Sequence, residues 1–303
     1  MNLHLLKIFY TVALEKNFSN AAKKLFISQP AVSKSVQTLE DQLGLPLINR
    51  QKRLKKEEKG VQLTEDGKAL FEHARAIFSL ERITVDEMQA RLQIKKGKLS
   101  IGASTTLAGY WLPAYLSIFL QQYPKIELCV KVGNTQTITQ KLIDGEIDFA
   151  LVEGLVKDTR IQIDVWRHET LEIVAASFST LNLAKEINVD QLNQLTWLIR
   201  EAGSGTHDVT LEMLKTLDIQ PHQFIELGSN EMIARSVSAG LGVSILPKKV
   251  IHELKILDQL KTITMKQSHL LTRPLYIFSL KNRPLSPLMQ AFHDLLHTHE
   301  TIN

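Results

Sequence analysis

The sequence predicts an α/β protein in three parts: a small N-terminal helical module, one long helix, and a two-lobed α/β domain. Three observations carry this. Residues 18–50 hold two helical registers of apolar residues with a capped turn between them. Phe71, Phe78, Val85 and Leu92 recur every seven residues, and from Leu99 onward strand and helix patterns alternate in two successive sets. With 303 residues and 44% hydrophobic content, the chain can bury more than one core.

Charge is unevenly spread. The net charge is +4, but residues 1–60 carry eleven Lys or Arg against five Asp or Glu, whereas residues 61–303 carry twenty-five against twenty-seven. The positive potential therefore belongs to the N-terminal module, as phosphate contact requires, although a basic segment is also an ordinary solvated face. No apolar run is long enough to span a bilayer, and Met1-Asn2-Leu3-His4 starts no signal peptide, so a cytoplasmic location and no membrane partner are expected. The single cysteine, Cys129, is read as a buried core thiol; neither a disulfide nor a metal site is expected.

Leu5, Leu6, Phe9, Val12 and Ala13 define a first helix over 3–16. Ala21, Ala22 and Leu25 form the inner face of a second, and Val32, Val36, Leu39 and Leu43 that of a third. Ser28 is a natural N-cap for the third helix, and Pro30 is tolerated in its first turn. Off the core face, Gln29, Ala31, Ser33, Lys34 and Gln37 are small or polar and crowd the N-terminal half. A helix that enters the major groove end-on needs such donors and acceptors, with its own amides near phosphate. A basic hairpin follows at 51–60, ending in a short strand at Val61–Leu63.

Residues 19–47, SNAAKKLFISQPAVSKSVQTLEDQLGLPL, resemble almost position for position the winged helix-turn-helix of LysR-type transcriptional regulators. The usual family form has paired alanines, a leucine, Ser-Gln-Pro-Ala-Val-Ser and Leu-Glu-x-x-Leu-Gly. A plain helical hairpin would explain the spacing but not that match. The resemblance implies DNA contacts from Ser28, Gln29, Pro30, Ala31, Ser33, Lys34 and Gln37, with Arg50, Lys52 and Arg53 as wing contacts. It also implies a homo-oligomer, dimer or tetramer, on double-stranded operator DNA with two-fold related half-sites. Two departures occur here: Leu47-Ile48 replaces the usual Leu-Phe, and the wing is several residues longer, which adds phosphate contacts or is an insertion that touches nothing.

Thr64 caps the long helix, and Leu70, Ile77 and Thr84 run beside the seven-residue row. So broad a stripe is expected to pair with its copy in another subunit, as the family's linker helix does; packing on its own effector domain is the competing use. The expected boundaries are 1–63 for the winged module, 64–92 for the linker helix, 93–98 for a hinge and 99–303 for the effector domain. Lobe I then comprises about 99–163 and 268–303, and lobe II about 164–267. The expected elements are strands at 99–103, 126–132, 149–152, 196–200, 224–227, 243–246 and 274–280. Helices are expected at 107–123, 136–143, 206–217, 231–239 and 287–299. The βαβ order argues for parallel sheets and resembles the periplasmic-binding-protein fold of the family's effector domain.

In such lobes ligands sit beyond the carboxyl ends of strands, against helix N-termini. That rule selects Ser104, Thr105 and Thr106, then Asn134 and Thr135 after Gly133, then Glu153 before Gly154. Across the cleft it selects Arg200, Gly203, Ser204, Gly205 and Thr206. These stretches resemble one branch of the family, with Gly-Ala-Ser-Thr-Thr, Gly-Asn-Thr, Leu-Val-Glu-Gly and Arg-Glu-x-Gly-Ser-Gly-Thr, whose members sense small anions or sulfur and carbon compounds. A small anionic effector is thus expected, with no resident cofactor. The simpler alternative is that Ser104, Thr106, Ser204 and Thr206 are helix caps. His207 stands where the branch often has arginine; it points at the cleft and makes binding pH-sensitive, or faces solvent.

An enzyme or a small-molecule-binding protein on the periplasmic-binding fold is the competing class. The chain has no nucleophile elbow, phosphate-loop lysine motif or histidine-rich metal pattern, and Gly240-Leu241-Gly242-Val243-Ser244 reads as a helix end running into a strand. No catalytic residue is expected.

Overall fold

The computed structural model describes residues 2–49, 60–91, 96–179, 187, 189–265, 271–281 and 283–298, without the side chains at 83, 86, 87, 89–91 and 96. Arg50, Lys52, Arg53, the rest of the expected wing to residue 59, and Leu92 lie outside the described residues. The chain divides into two compact units, one built on residues up to Met88 and one on residues from Gln89.

In the first unit, α1 (Leu3–Glu15), α2 (Phe18–Leu25) and α3 (Gln29–Leu43) surround a core of Leu6, Phe9, Val12, Ala21, Val32, Val36 and Leu39. Each helix start has a side-chain cap: Asn2, Asn17 and Ser28 accept backbone N–H groups of α1, α2 and α3. Ile48 and Leu63 form an antiparallel bridge, closed further by Asn49 N–H donating to the Gln62 carbonyl at 2.9 Å, so the base of the hairpin is present. Helix α4 (Glu65–Arg91) begins where Gly67 meets the carbonyl of Leu47; a Cβ there would lie 2.0 Å from that oxygen.

The stripe on α4 divides between two uses. Leu70, Phe71, Ile77 and Phe78 pack on the core of the first unit, with Tyr10 against the rings of Phe71 and Phe78 at 5.3 and 5.4 Å. These residues seal their own helix-turn-helix, a use of the stripe that the sequence does not announce. Among the described side chains of α4, Leu80, Val85 and Met88 are the large apolar ones left exposed.

In the second unit, β1 (Lys96–Ser104), β2 (Lys125–Gly133) and β3 (Phe149–Val152) pair in parallel in the order β2-β1-β3. The antiparallel strand β9 (Thr272–Leu280) follows, then the 16-residue β4 (Ile161–Ala176), which the sequence reading did not identify, and then β7 (Ser244–Pro247), with β8 (Leu260–Ile263) also on β4. The sheet is therefore mixed rather than parallel throughout. A two-stranded parallel sheet of β5 (Thr196–Arg200) and β6 (Gln223–Leu227) completes the second lobe. Period-two alternation sorts the strands onto two faces. Leu275 and Ile277 join one core with Tyr115, Phe119 and Phe292, while Tyr276 and Phe278 join the other with Ile138 and Leu142.

The single helix expected over 107–123 is two, α5 (Thr105–Tyr110) and α6 (Leu112–Gln122), because Pro113 has no N–H to continue the ladder. Helices α7 (Thr135–Ile143), α9 (Gly205–Thr216), α10 (Asn230–Ser238) and α12 (Pro287–Thr298) match expectation, whereas α8 (Val189–Asn193) and α11 (Lys248–Ile256) are additional. Strand β1 already begins at Lys96, inside the segment expected as hinge. Cys129 is half-buried rather than buried, because β2 is the edge strand. No helix among the described residues is long and apolar enough to cross a membrane.

Candidate functional site

On α3, Val32, Val36 and Leu39 are fully buried, which forces the residues between them outward. Gln29, Pro30, Ala31, Ser33 and Lys34 are exposed, and Gln37 is half-buried with its amide on Asp41 at 3.0 Å. Ser28 Oγ accepts Ala31 N–H at 3.4 Å and fixes the helix start. Sequence reasoning missed Glu40. It is buried, and its Oε1 accepts the Leu47 and Ile48 N–H groups at 2.8 and 3.1 Å, tying the end of α3 to the root of the hairpin. The cue was an acid in the last turn of a helix followed by an extended segment.

In the second unit, all the expected effector residues except Ser104 and Ser204 take part in hydrogen bonds between the lobes. Several hydrogen bonds cross the gap. Arg200 Nη1 donates to Thr105 Oγ1 at 3.2 Å, Asn134 Nδ2 to Glu201 Oε1 at 3.4 Å, and Gly205 N–H to Thr135 Oγ1 at 3.2 Å. Gln136 N–H donates to the Gly203 carbonyl at 3.1 Å, Thr206 Oγ1 to Glu153 Oε1 at 3.1 Å, and Asn230 Nδ2 to Thr106 Oγ1 at 2.7 Å. Gly154 and Gly205 let the backbones meet: a Cβ on Gly154 would stand 2.5 Å from Gly205 Cα.

The cap alternative fails for most of these residues. Ser104 does cap α5, accepting Leu107 N–H at 3.3 Å, and Asn134 caps α7. Ser204 makes no side-chain cap bond, and Thr106 and Thr206 point their hydroxyls into the interlobe network. His207 sits in the first turn of α9 with Nδ1 2.8 Å from Asp208 Oδ1, so its ring is engaged on the helix's own surface.

Three partners in this network came from outside the expected set. Glu201 receives Arg200 Nε and Nη2 at 2.7 and 2.9 Å; burial, the largest single influence, pushes its carboxyl up, but the Arg200 hydrogen bonds and charge, a backbone N–H and the Asn134 amide together hold it below the usual carboxylate range. Arg273 is fully buried and donates from Nε and Nη2 to Glu169, its cross-strand neighbour, at 2.9 and 2.7 Å, and from Nη1 to Thr206 Oγ1 at 2.8 Å. Asn230 opens α10, and the rule that found the other stretches, applied to the end of β6, would have reached it.

Residues 3–68 match the family model described as the bacterial regulatory helix-turn-helix protein, lysR family, and residues 93–301 match the LysR substrate binding domain. The chain belongs to the LysR family of DNA-binding transcriptional regulators. It is 30% identical to the HTH-type transcriptional regulator CysL of Bacillus subtilis over 92% of this chain and 91% of that protein. It is 31% identical to a probable RuBisCO transcriptional regulator of Thalassiosira pseudonana, covering 97% and 96%. Full-length OxyR of Pseudomonas aeruginosa has the same fold, with a TM-score of 0.75 at 23% identity over 98% of this chain and 94% of that one. The CcmR regulatory domain of Synechocystis, solved in complex with 2-PG, is similar with a TM-score of 0.62 at 26% identity, covering 68% and 98%. The regulator thus pairs a DNA-binding unit with an effector-binding unit, and both surfaces described above lie in the matching segments.

Proposed function

We propose that this regulator reads operator DNA through Gln29, Ser33 and Lys34, with Ser28, Pro30, Ala31 and Gln37 shaping and positioning the helix. In the same reading it is controlled by a small anion bound between the lobes of its second unit. Arg50, Lys52 and Arg53 act as wing contacts. The protein works as a homo-oligomer in the cytoplasm, with Leu80, Val85 and Met88 of α4 as part of the subunit contact, and it regulates rather than catalyses. The working boundaries are 1–63, 64–92, 93–95 and 96–303, the hinge being shortened because β1 begins at Lys96.

The observation that carries the anion is Glu201. A carboxylate already sits between donors of both lobes, Arg200 from one and Asn134 from the other. The N-termini of α7, α9 and α10 converge on the same region, so the local field favours negative charge. An anionic effector takes the place of Glu201, whose side chain is 27% exposed at the edge of the network. It gains Arg200, Thr105, Asn134 and Thr135, with Gly203, Ser204, Gly205 and Thr206 as its cradle. Thr106 and Ser104 fix that geometry, and Glu153 holds Thr206 in place.

The test is a thermal-shift titration of the full-length protein with 2-PG, sulfite, sulfate, thiosulfate, phosphorylated sugars and carboxylates, beside the Glu201→Gln variant. A ligand that binds only the folded state raises the midpoint by mass action. Removing the internal competitor is expected to tighten the hit by about tenfold. If no anion stabilises either protein, the reading fails.

A further inference from the structure

The turn between α2 and α3 carries a side chain that the fold does not need. Helix α2 ends in a Schellman motif: Phe26 N–H donates to the Lys23 carbonyl at 3.3 Å, and Ile27 N–H to the Ala22 carbonyl at 3.1 Å. That motif puts Phe26 in the left-handed region, with φ at 55°. Glycine reaches this region without strain and asparagine with little, whereas the Cβ of other residues crowds the following carbonyl. Three more non-glycine residues among those described share such a φ, namely Lys16, Asp218 and Asp258. All three are charged; Phe26 alone is apolar.

The ring gains nothing in exchange within the chain. Phe26 is 95% exposed, the most of any large apolar residue among those described, with Phe178 and Ile256 next at 70%. A lone apolar side chain on a surface is ordinary. One that also sits in a backbone conformation it disfavours is unfavourable twice over, and such strain persists at sites of function.

The position of Phe26 names the partner. Ser28, the cap of α3, is two residues further on, and the exposed Gln29 is three. On the other side Lys23 and Lys24 close α2. Lys24 pairs with Glu15 at 2.6 Å, whereas Lys23 is exposed and has no carboxylate partner among the described residues. The ring thus stands between a cation suited to a phosphate and the end of the helix that enters the groove. Gln29, Ser33 and Lys34 offer hydrogen-bonding groups, which match the polar marks of a base edge. The thymine C5-methyl is the apolar mark in the major groove, and an aromatic ring can cover it.

We propose that Phe26 reads a thymine of the operator half-site by packing its ring on the C5-methyl, while Lys23 holds a neighbouring phosphate. The inference rests on the reading of α3 as the recognition helix.

The test uses the full-length protein and the duplex that it selects from a random-sequence pool. Each thymine of that site is replaced in turn by deoxyuridine, which lacks only the methyl, and affinity is read by fluorescence anisotropy at fixed salt. For the wild type, one replacement per half-site is expected to weaken binding about fivefold. Phe26→Asn is expected to bind the thymine duplex about fivefold more weakly and to be indifferent to deoxyuridine at that position. Its urea midpoint is expected to equal or exceed that of the wild type, because asparagine accepts the left-handed region, so lost affinity is not lost fold. Lys23→Gln is expected to reduce the salt slope by about one per subunit, and Phe26→Asn to leave it unchanged. Undiminished operator affinity in Phe26→Asn, a loss that is the same with and without every methyl, or a urea midpoint below that of the wild type would each overturn the proposal. If Ser33→Ala with Lys34→Ala keeps its affinity as well, the reading of α3 has failed with it. If that variant loses affinity and Phe26→Asn does not, only the thymine contact has failed.

Discussion

The face of α3 and the gap between the lobes are both polar, yet they are built in opposite ways. On α3 the side chains proposed to meet DNA stand in water on a helix whose other face is locked in a core, so nothing has to be displaced before a base edge arrives. Between the lobes, Arg200, Thr106, Glu153, Thr206 and Asn230 are at most 2% exposed, and their groups are largely spent on one another. In the proposed function, recognition at the first site is preorganised, whereas recognition at the second is an exchange, in which a ligand must offer more than the internal partner it replaces. An exchange can move lobes. A surface that is merely covered cannot.

The largest effect expected from this contrast is at Arg273. Two buried carboxylates, Glu169 and Glu153, face one guanidinium, with the second at 3.9 Å. Arg273→Met leaves both without their cation, and removal of one partner from a buried set costs about 3–5 kcal/mol. All three tryptophans, Trp111, Trp166 and Trp197, lie in the second unit, so their fluorescence during urea unfolding reports that unit alone. A loss under about 1 kcal/mol would mean that the network is not the lock described here.

At the DNA end the prediction concerns affinity and not stability. Ser33→Ala with Lys34→Ala changes two exposed side chains and is expected to leave the helical circular dichroism intact. Specific operator binding is expected to fall by about 3 kcal/mol, more than a hundredfold at fixed salt. Retained operator affinity in a fluorescence anisotropy titration would remove these residues from the reading face.

The same contrast explains what was legible in the sequence. The reading face follows from local rules: a cap at Ser28, a buried row at spacings of three and four, and the polar remainder. The interlobe residues at the ends of β1, β2, β3 and β5 were also legible, because the strand-end rule applies to parallel strands. It cannot find Arg273. Strand β9 is antiparallel, so its N-terminal end lies beside the carboxyl ends of the others, and the partner Glu169 is 104 residues away on a strand with no obvious boundary. The split of the α4 stripe was hidden for another reason. A seven-residue repeat states that a face is apolar, but it does not state which neighbour covers each turn, and Tyr10 claims the first two.

The smallest effect is a test of the exchange itself. Glu201 is held below the usual carboxylate range in the folded protein, so the unfolded chain binds its proton first as pH falls. Its contribution is therefore complete above the unfolded value of about 4.3 and disappears as pH drops through the lower folded value. With the side chain partly exposed, that contribution is expected to be about 1 kcal/mol. Urea unfolding of wild type and Glu201→Gln, followed by tryptophan fluorescence, should show this gap at pH 7 and its loss in acid. Gln29 and Ser33 carry no ionisable group, so no matching step is expected from them on the reading face. A gap that stays constant through the acid range would mean that Glu201 does not clamp the lobes, and the anion would then have no internal rival to displace.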